Sequence, residues 1–327
     1  MYLEFYGLKE KPFSLTPDPQ FLFLSESHRK AMEYLLYGIS HREGFIVMTG
    51  NIGTGKTTLC RTILRRLEGH VKTAIIFNSF LTEKELLKSI LIDFGYSPKR
   101  QTRKELIDAL NELLVHYLSI GQNAVLIIDE AQNLSSAVLE QIRMLSNLET
   151  EKEKILQIIL VGQPELEEKL HSPELNQLNQ RITIRCHLSP LTLKETESYI
   201  YQRLMVAGSQ GRITFSSSAI HEIYRFSQGI PRLINLICDR ALLGGFVNET
   251  FHIDQGMVKK AVREIKGEEK EIGPKPRLSF LTQLLSFRTA FWAILLFLFS
   301  FILFFPFGTF PPYEETAPKP IESFLEE

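Results

Sequence analysis

Gly50 to Thr57 reads GNIGTGKT, which fits the pattern GxxxxGK[ST]. Glycine tolerates positive φ and close backbone approach. The loop can therefore turn the N–H groups of Gly50, Asn51, Ile52, Gly53, Thr54 and Gly55 toward a single anion. Lys56 adds a cation able to reach the β- and γ-phosphates of a nucleoside triphosphate, and the Thr57 hydroxyl suits Mg²⁺. Thr58 follows in TTLCRTILRRL, a helical pattern whose positive N-terminal end adds to the field. An ordinary glycine-rich turn is the competing reading, but it does not account for the apolar run FIVMT before the loop or the helix after it. A second constellation is VLIIDE, Val125 to Glu130, where four apolar residues end in two carboxylates. Open α/β sheets bind ligands at such carboxyl ends. Asp129 is placed to hold the metal, directly or through water. Glu130, one residue on, is placed to orient and deprotonate an attacking water. Alone, an apolar strand ending in Asp-Glu is more often structural; its position after a phosphate loop gives it meaning.

These residues need a sheet to carry them. FIVMT (45–49), TAIIF (73–77), AVLIID (124–129), ILQIILV (155–161) and ITIRCHL (182–188) read as buried strands. Helical patterns fall near 56–67, 82–94, 103–118 and 135–148. Alternation of this kind predicts an α/β fold, a parallel sheet flanked by helices, over residues 1–189. From Pro190 the strand-like runs stop, and 190–265 reads as a helical lid subdomain. Residues 266–288 form a charged, Pro-containing linker. There is no internal repeat.

Net charge is −1, from 37 Lys+Arg against 38 Asp+Glu, which excludes a generally basic nucleic-acid binder. Cys60, Cys186 and Cys238 are odd in number and widely spaced, which excludes a disulfide framework and a zinc site. Nine of the 23 Phe lie between Phe287 and Phe310. Residues 289–310, TAFWAILLFLFSFILFFPFGTF, carry no charge. As a helix they would extend roughly 33 Å, enough for a bilayer core of about 30 Å. Five basic residues (Lys266, Lys270, Lys275, Arg277, Arg288) precede this span, whereas five Glu and one Lys follow it. The positive-inside rule places the N-terminal side in the cytoplasm and the short acidic, Pro-rich segment 311–327 across the membrane. The −1 thus divides into +3, 0 and −4 for residues 1–288, 289–310 and 311–327.

With phosphate loop, acidic strand end and trailing helical region in this order, the chain resembles the AAA+ ATPases. The resemblance implies ATP and Mg²⁺ as cofactors and assigns further residues. Gln163 occupies the sensor-1 position, and a strand-ending turn beside Pro164 is its alternative. Asn78 ends the second strand, where some members restrain the catalytic Glu. Arg181 is the first choice for an arginine finger acting on a neighbouring subunit, Arg185 the second, with surface ion pairs the alternative. Arg232, in Gly229-Ile230-Pro231-Arg232, falls where the sensor-2 arginine approaches nucleotide.

The N-terminal stretch MYLEFYGLKEKPFSLTPDPQFLFLSESHRKAMEYLLYGI, with IDEAQNL, LVGQPEL, LNQRI and GIPRLIN, is similar to the general secretion pathway protein A family over residues 1–265. That resemblance implies a bacterial inner-membrane ATPase with one span, acting from the cytoplasm on outer-membrane secretin assembly in type II secretion. It also implies a homo-oligomer with inner-membrane or periplasmic partners and no nucleic acid. With 17 residues after the span, direct peptidoglycan binding is not expected of this chain. Two other readings share the core motifs: an ATPase of exopolysaccharide or exosortase loci, and a DNA-handling ATPase of the transposition-helper type. Phe13, Phe21 and Phe23 are expected to pin an irregular N-terminal strip onto the sheet, as plain packing or as cover for an adenine.

Overall fold

The computed structural model describes residues 2–67, 69, 71–77, 80–98, 102–148 and 154–267. Asn78, the linker beyond Gly267, the expected span 289–310 and the tail 311–327 lie outside the described residues. Among the described residues no helix is long and apolar enough to cross a membrane.

Five parallel strands form the central sheet: β1 (Phe45–Gly50), β2 (Val71–Ile76), β3 (Asn123–Ile128), β4 (Gln157–Gly162) and β5 (Ile182–Leu188), in the order β2-β3-β4-β1-β5. Strands β1 and β4 are buried along their whole length, as strands covered on both faces must be. β5, at the edge, alternates. The period of two sends Phe45 and Val47 to one face of β1, and Ile46 and Met48 to the other. On the first face lie α4 (Glu83–Asp93), α5 (Arg103–Ser119), α6 (Ser136–Leu145), α7 (Pro164–Leu170) and the short α8 (Asn176–Asn179). On the second lie α2 (Glu26–Ser40) and α3 (Lys56–Arg66); the N-terminal α1 (Tyr2–Tyr6) belongs elsewhere. Capping boxes at Thr82/Glu85 and Thr102/Glu105 start α4 and α5. There the Thr hydroxyl and the Glu carboxylate satisfy helix-start N–H groups that lack intrahelical partners.

The helical region comprises α9 (Leu193–Val206), α10 (Ser217–Ser227), α11 (Pro231–Val247) and α12 (Gln255–Lys266). It also holds two strands of two residues each, β6 (Thr214–Phe215) and β7 (His252–Ile253), paired in parallel. Strands so short leave no periodic trace in a sequence, so they were not expected.

The aromatic strip does not lie on the sheet as expected. Tyr6, Leu8, Phe13 and Phe21 are buried in the same core as Tyr199, Ile234 and Leu242 of the helical region. Tyr6 donates its hydroxyl to the carbonyl of Leu242 at 2.9 Å, and Lys9 N–H bonds the carbonyl of Ala207 at 2.8 Å. Burial favours this placement because Phe5 and Tyr6 find aromatic partners there: Phe5 meets Phe246 and stacks on Phe251.

Candidate functional site

The phosphate loop joins the end of inner strand β1 to α3, so the positive end of α3 points into a pocket beside the sheet's carboxyl edge. Two of its glycines are conformationally required. Gly53 has φ +80, and a Cβ there would lie 2.6 Å from the Cβ of Arg232. Gly55 has φ +101 and abuts the His28 ring. Thr54 is fully buried and closes the turn by donating its hydroxyl to the Asn51 carbonyl at 2.8 Å. Asn51 and Ile52 are exposed at the loop tip, while Thr58 lines the pocket one residue past Thr57.

Lys56 is folded against its own loop, donating to the carbonyls of Gly50 at 2.7 Å and Asn51 at 3.1 Å. Burial lowers the pKa of its ammonium, and the nearby carboxylates of Glu130 and Asp129 oppose that shift. Thr57 donates its hydroxyl to Asp129 Oδ2 at 2.6 Å. The hydroxyl and carboxylate that the sequence assigns to one cation are therefore already in contact, although 72 residues apart in the chain. Both are hard oxygen donors, Thr57 in the first turn of α3 and Asp129 just past β3, a set that fits Mg²⁺. Among the described residues no group of three His, Cys, Asp or Glu side chains suits a metal on its own. A protein-only cage is not what this arrangement offers.

Glu130 sits just past β3 in left-handed conformation, φ 52. A non-glycine residue there costs of order 1–3 kcal/mol, and such strain gathers at functional positions. Its Oε2 accepts from the side-chain amides of Gln132 at 2.6 Å and Gln163 at 3.1 Å. Burial pushes its carboxyl upward, but the hydrogen bonds from Gln132 and Gln163 and the charge of Lys56 prevail and hold it below the usual glutamate value. Gln163 follows β4 directly and occupies the N-cap of α7, yet its side chain takes no part in capping. It is directed at Glu130 instead, and its backbone N–H bonds Gln132 Oε1 at 3.1 Å.

Arg232 opens α11, and its backbone N–H bonds the Gly53 carbonyl at 3.2 Å, which seats the helical region directly on the phosphate loop. The joint depends on Gly229, whose φ is +75 and where a Cβ would fall 1.9 Å from the Leu191 carbonyl oxygen. Arg181 lies away from this pocket, bonded to Ser146 Oγ at 2.7 Å and Asn147 Oδ1 at 2.5 Å of its own chain. Arg185 pairs with Glu167 and Asn179.

Four contributors were missed from the sequence. Gln132 braces Glu130. His28 bonds the Thr54 carbonyl through Nε2 at 3.0 Å and Ser25 Oγ through Nδ1 at 2.6 Å. Since a carbonyl only accepts, Nε2 carries the proton, and burial lowers the ring's pKa. Arg203 and Asn235 line the same pocket. Gln132 lies inside the IDEAQNL stretch, Asn235 ends GIPRLIN and His28 falls in the N-terminal stretch, so three of the four stood within the motif stretches; Arg203 did not.

Residues 39–170, from the end of α2 through α7, match the AAA domain family. General secretion pathway protein A of Aeromonas hydrophila is 44% identical over 272 residues, 83% of this chain. The chain is an AAA-domain homologue of general secretion pathway protein A. It spans about half the length of that relative, 50%. Among solved structures, it resembles the ORC2 protein of Aeropyrum pernix in its ADP form, with TM-score 0.60 and 19% identity over 79% of this chain and 73% of that one. Cdc6p from Pyrobaculum aerophilum gives TM-score 0.58 and 19% identity over 76% and 71%. At such identities the likeness establishes the P-loop AAA+ α/β fold.

Proposed function

We propose that the chain is a membrane-anchored ATPase that binds and hydrolyses ATP in the cytoplasm to assist envelope secretion. The observation that carries the reading is that Lys56, Thr57 and Glu130 line one pocket at the end of the sheet, with Asp129 bonded to the Thr57 hydroxyl. Loop N–H groups from Gly50 to Gly55 bind the phosphates. Lys56 exchanges its loop carbonyls for the β- and γ-phosphates, and Thr57 and Asp129 hold Mg²⁺. The metal supplies charge neutralisation on the transferring phosphoryl group. Glu130 takes the proton of the attacking water, and Gln163 fixes the orientation of that carboxylate. Arg232, seated over Gly53, brings the helical region onto the nucleotide. Arg181 serves as a finger to a neighbouring subunit's nucleotide once it leaves Ser146 and Asn147, which makes a homo-oligomer the working unit. Residues 289–310 anchor the chain in the bacterial inner membrane with residues 311–327 on the periplasmic side.

Secretion is supported by the 44% identity to general secretion pathway protein A, the reason to look for partners among inner-membrane and periplasmic secretion proteins rather than nucleic acid. In cells lacking this chain, multimeric secretin in the outer membrane should fall. Wild-type chain should restore it and the chain truncated before residue 287 should not, while also leaving the membrane fraction. Undiminished secretin multimers in the deletion strain would overturn the secretion role.

Gln132→Ala removes one of the two amides that hold Glu130 acidic. Without it the carboxyl protonates at higher pH, so the acidic limb of the pH–rate profile of hydrolysis should move to higher pH. An unshifted limb means that the bond is not made in the working enzyme.

A further inference from the structure

Helix α12 (Gln255–Lys266) is the last element of the helical region. Its apolar side is already occupied: Val258, Ala261 and Val262 are buried in the core that α12 shares with α10 and α11. The opposite side carries Lys259, Lys260, Arg263 and Lys266, all exposed. At about 100° per residue, Lys266, Lys259 and Arg263 fall within about 60° of the helix surface, and Lys260 about 60° further round. Glu264 is the one acidic residue of the helix and lies at the margin of this stripe.

Neighbouring carboxylates do not cancel the first three cations. Among the described residues Lys260 and Arg263 make no ion pair, not even with Glu264. Glu222 is within electrostatic reach of Lys259, but that carboxylate is paired with Arg225. The Lys266 ammonium lies 5.8 Å from the centre of the Phe226 ring, at the end of the stripe. The helix dipole favours cations in a last turn, which accounts for Arg263 and Lys266 but not for Lys259 and Lys260 in the second turn.

We propose that this stripe docks the helical region on the anionic headgroups of the cytoplasmic leaflet. If residues 289–310 span the membrane, as proposed above and as the docking requires, the 21 residues 268–288 tether α12 to the bilayer. Chain length alone then keeps the stripe within about 70 Å of the lipid. A polyanionic surface is always in reach, whereas a nucleic acid is not. Because the apolar side of α12 faces the core, the contact is electrostatic and does not insert. Four cations on an anionic surface correspond to a Kd on the order of 1 mM. That is too weak to retain a chain truncated before residue 287, but a tether supplies an effective concentration of similar order. Docking holds at the membrane the region that Arg232 seats on the phosphate loop.

The test uses the full chain in nanodiscs of phosphatidylcholine, with or without phosphatidylglycerol, and reads amine acetylation residue by residue by mass spectrometry. At low salt, phosphatidylglycerol should slow acetylation of Lys259 and Lys260 at least about two-fold, and high salt should restore it. Exposed Lys84 in α4 and Lys104 in α5 should not change. Lys260→Glu combined with Arg263→Glu, both at exposed positions, should abolish the protection of Lys259. Equal rates in both lipids, or protection that survives the double substitution, overturns the proposal. So does stronger protection by duplex DNA in phosphatidylcholine discs than by phosphatidylglycerol, which would assign the stripe to nucleic acid. Failure of the chain to enter neutral discs would instead refute the span, and the docking with it, because a millimolar contact needs the tether.

Discussion

Glu130→Gln should bind ATP with Mg²⁺ at an affinity within a few-fold of wild type and hydrolyse it about 10²–10⁴-fold more slowly. The amide is nearly the same size as the carboxylate, and its carbonyl oxygen can still accept from Gln132 or Gln163, whose bonds now converge on Glu130 Oε2. The unusual backbone is no obstacle, since Gln228 of this chain adopts φ 50. Thr57 and Asp129 are untouched, so the cation site survives. What is lost is the proton acceptor. Single-turnover hydrolysis beside a fluorescent-nucleotide binding isotherm measures both quantities, and wild-type turnover would remove Glu130 as the base.

Lys56→Ala should abolish turnover and weaken nucleotide binding about 10²-fold or more. Charge-assisted hydrogen bonds to phosphate contribute about 1.5–3 kcal/mol each, and Lys56 is placed to make more than one. The substitution also has a cost without nucleotide. Lys56 is 5% exposed and satisfies the carbonyls of Gly50 and Asn51, so its removal leaves loop acceptors to find water. Lys56→Met keeps the apolar stem and loses only the donor, so a thermal melt reads the cost of the freed carbonyls separately from the binding isotherm. It should still fold, melting below wild type, and fail to bind. Binding by Lys56→Met at wild-type affinity would refute the phosphate assignment.

Much of this site was legible because its chemistry is local. A phosphate loop must be written in consecutive residues, since consecutive N–H groups do the binding. An acidic strand end is likewise one short string. Strands β1 and β4 were visible because burial on both faces leaves near-continuous apolar runs, and β5 because an edge strand alternates. What stayed hidden are contacts made by pairs far apart in the chain. Asn235 and Ser14 are separated by 221 residues, and Arg203 and Pro12 by 191. Nothing in either neighbourhood declares the other, because the acceptors are main-chain carbonyls that every residue carries. The aromatic strip shows the same limit. Its composition announced that it would be buried but not against which core.

That strip has a consequence for how the protein is made. The Tyr6 hydroxyl bonds carbonyls at Leu242 and Thr250, 236 and 244 residues downstream. Ribosomes add roughly 5–20 residues per second, so the amino end emerges some 10–50 s before its docking surface exists. The sheet and phosphate loop can form during that interval, but the core that the strip shares with the helical region cannot. Contacts of such long sequence separation also form slowly once available. The nascent chain thus carries this aromatic strip undocked until α11 has left the ribosome.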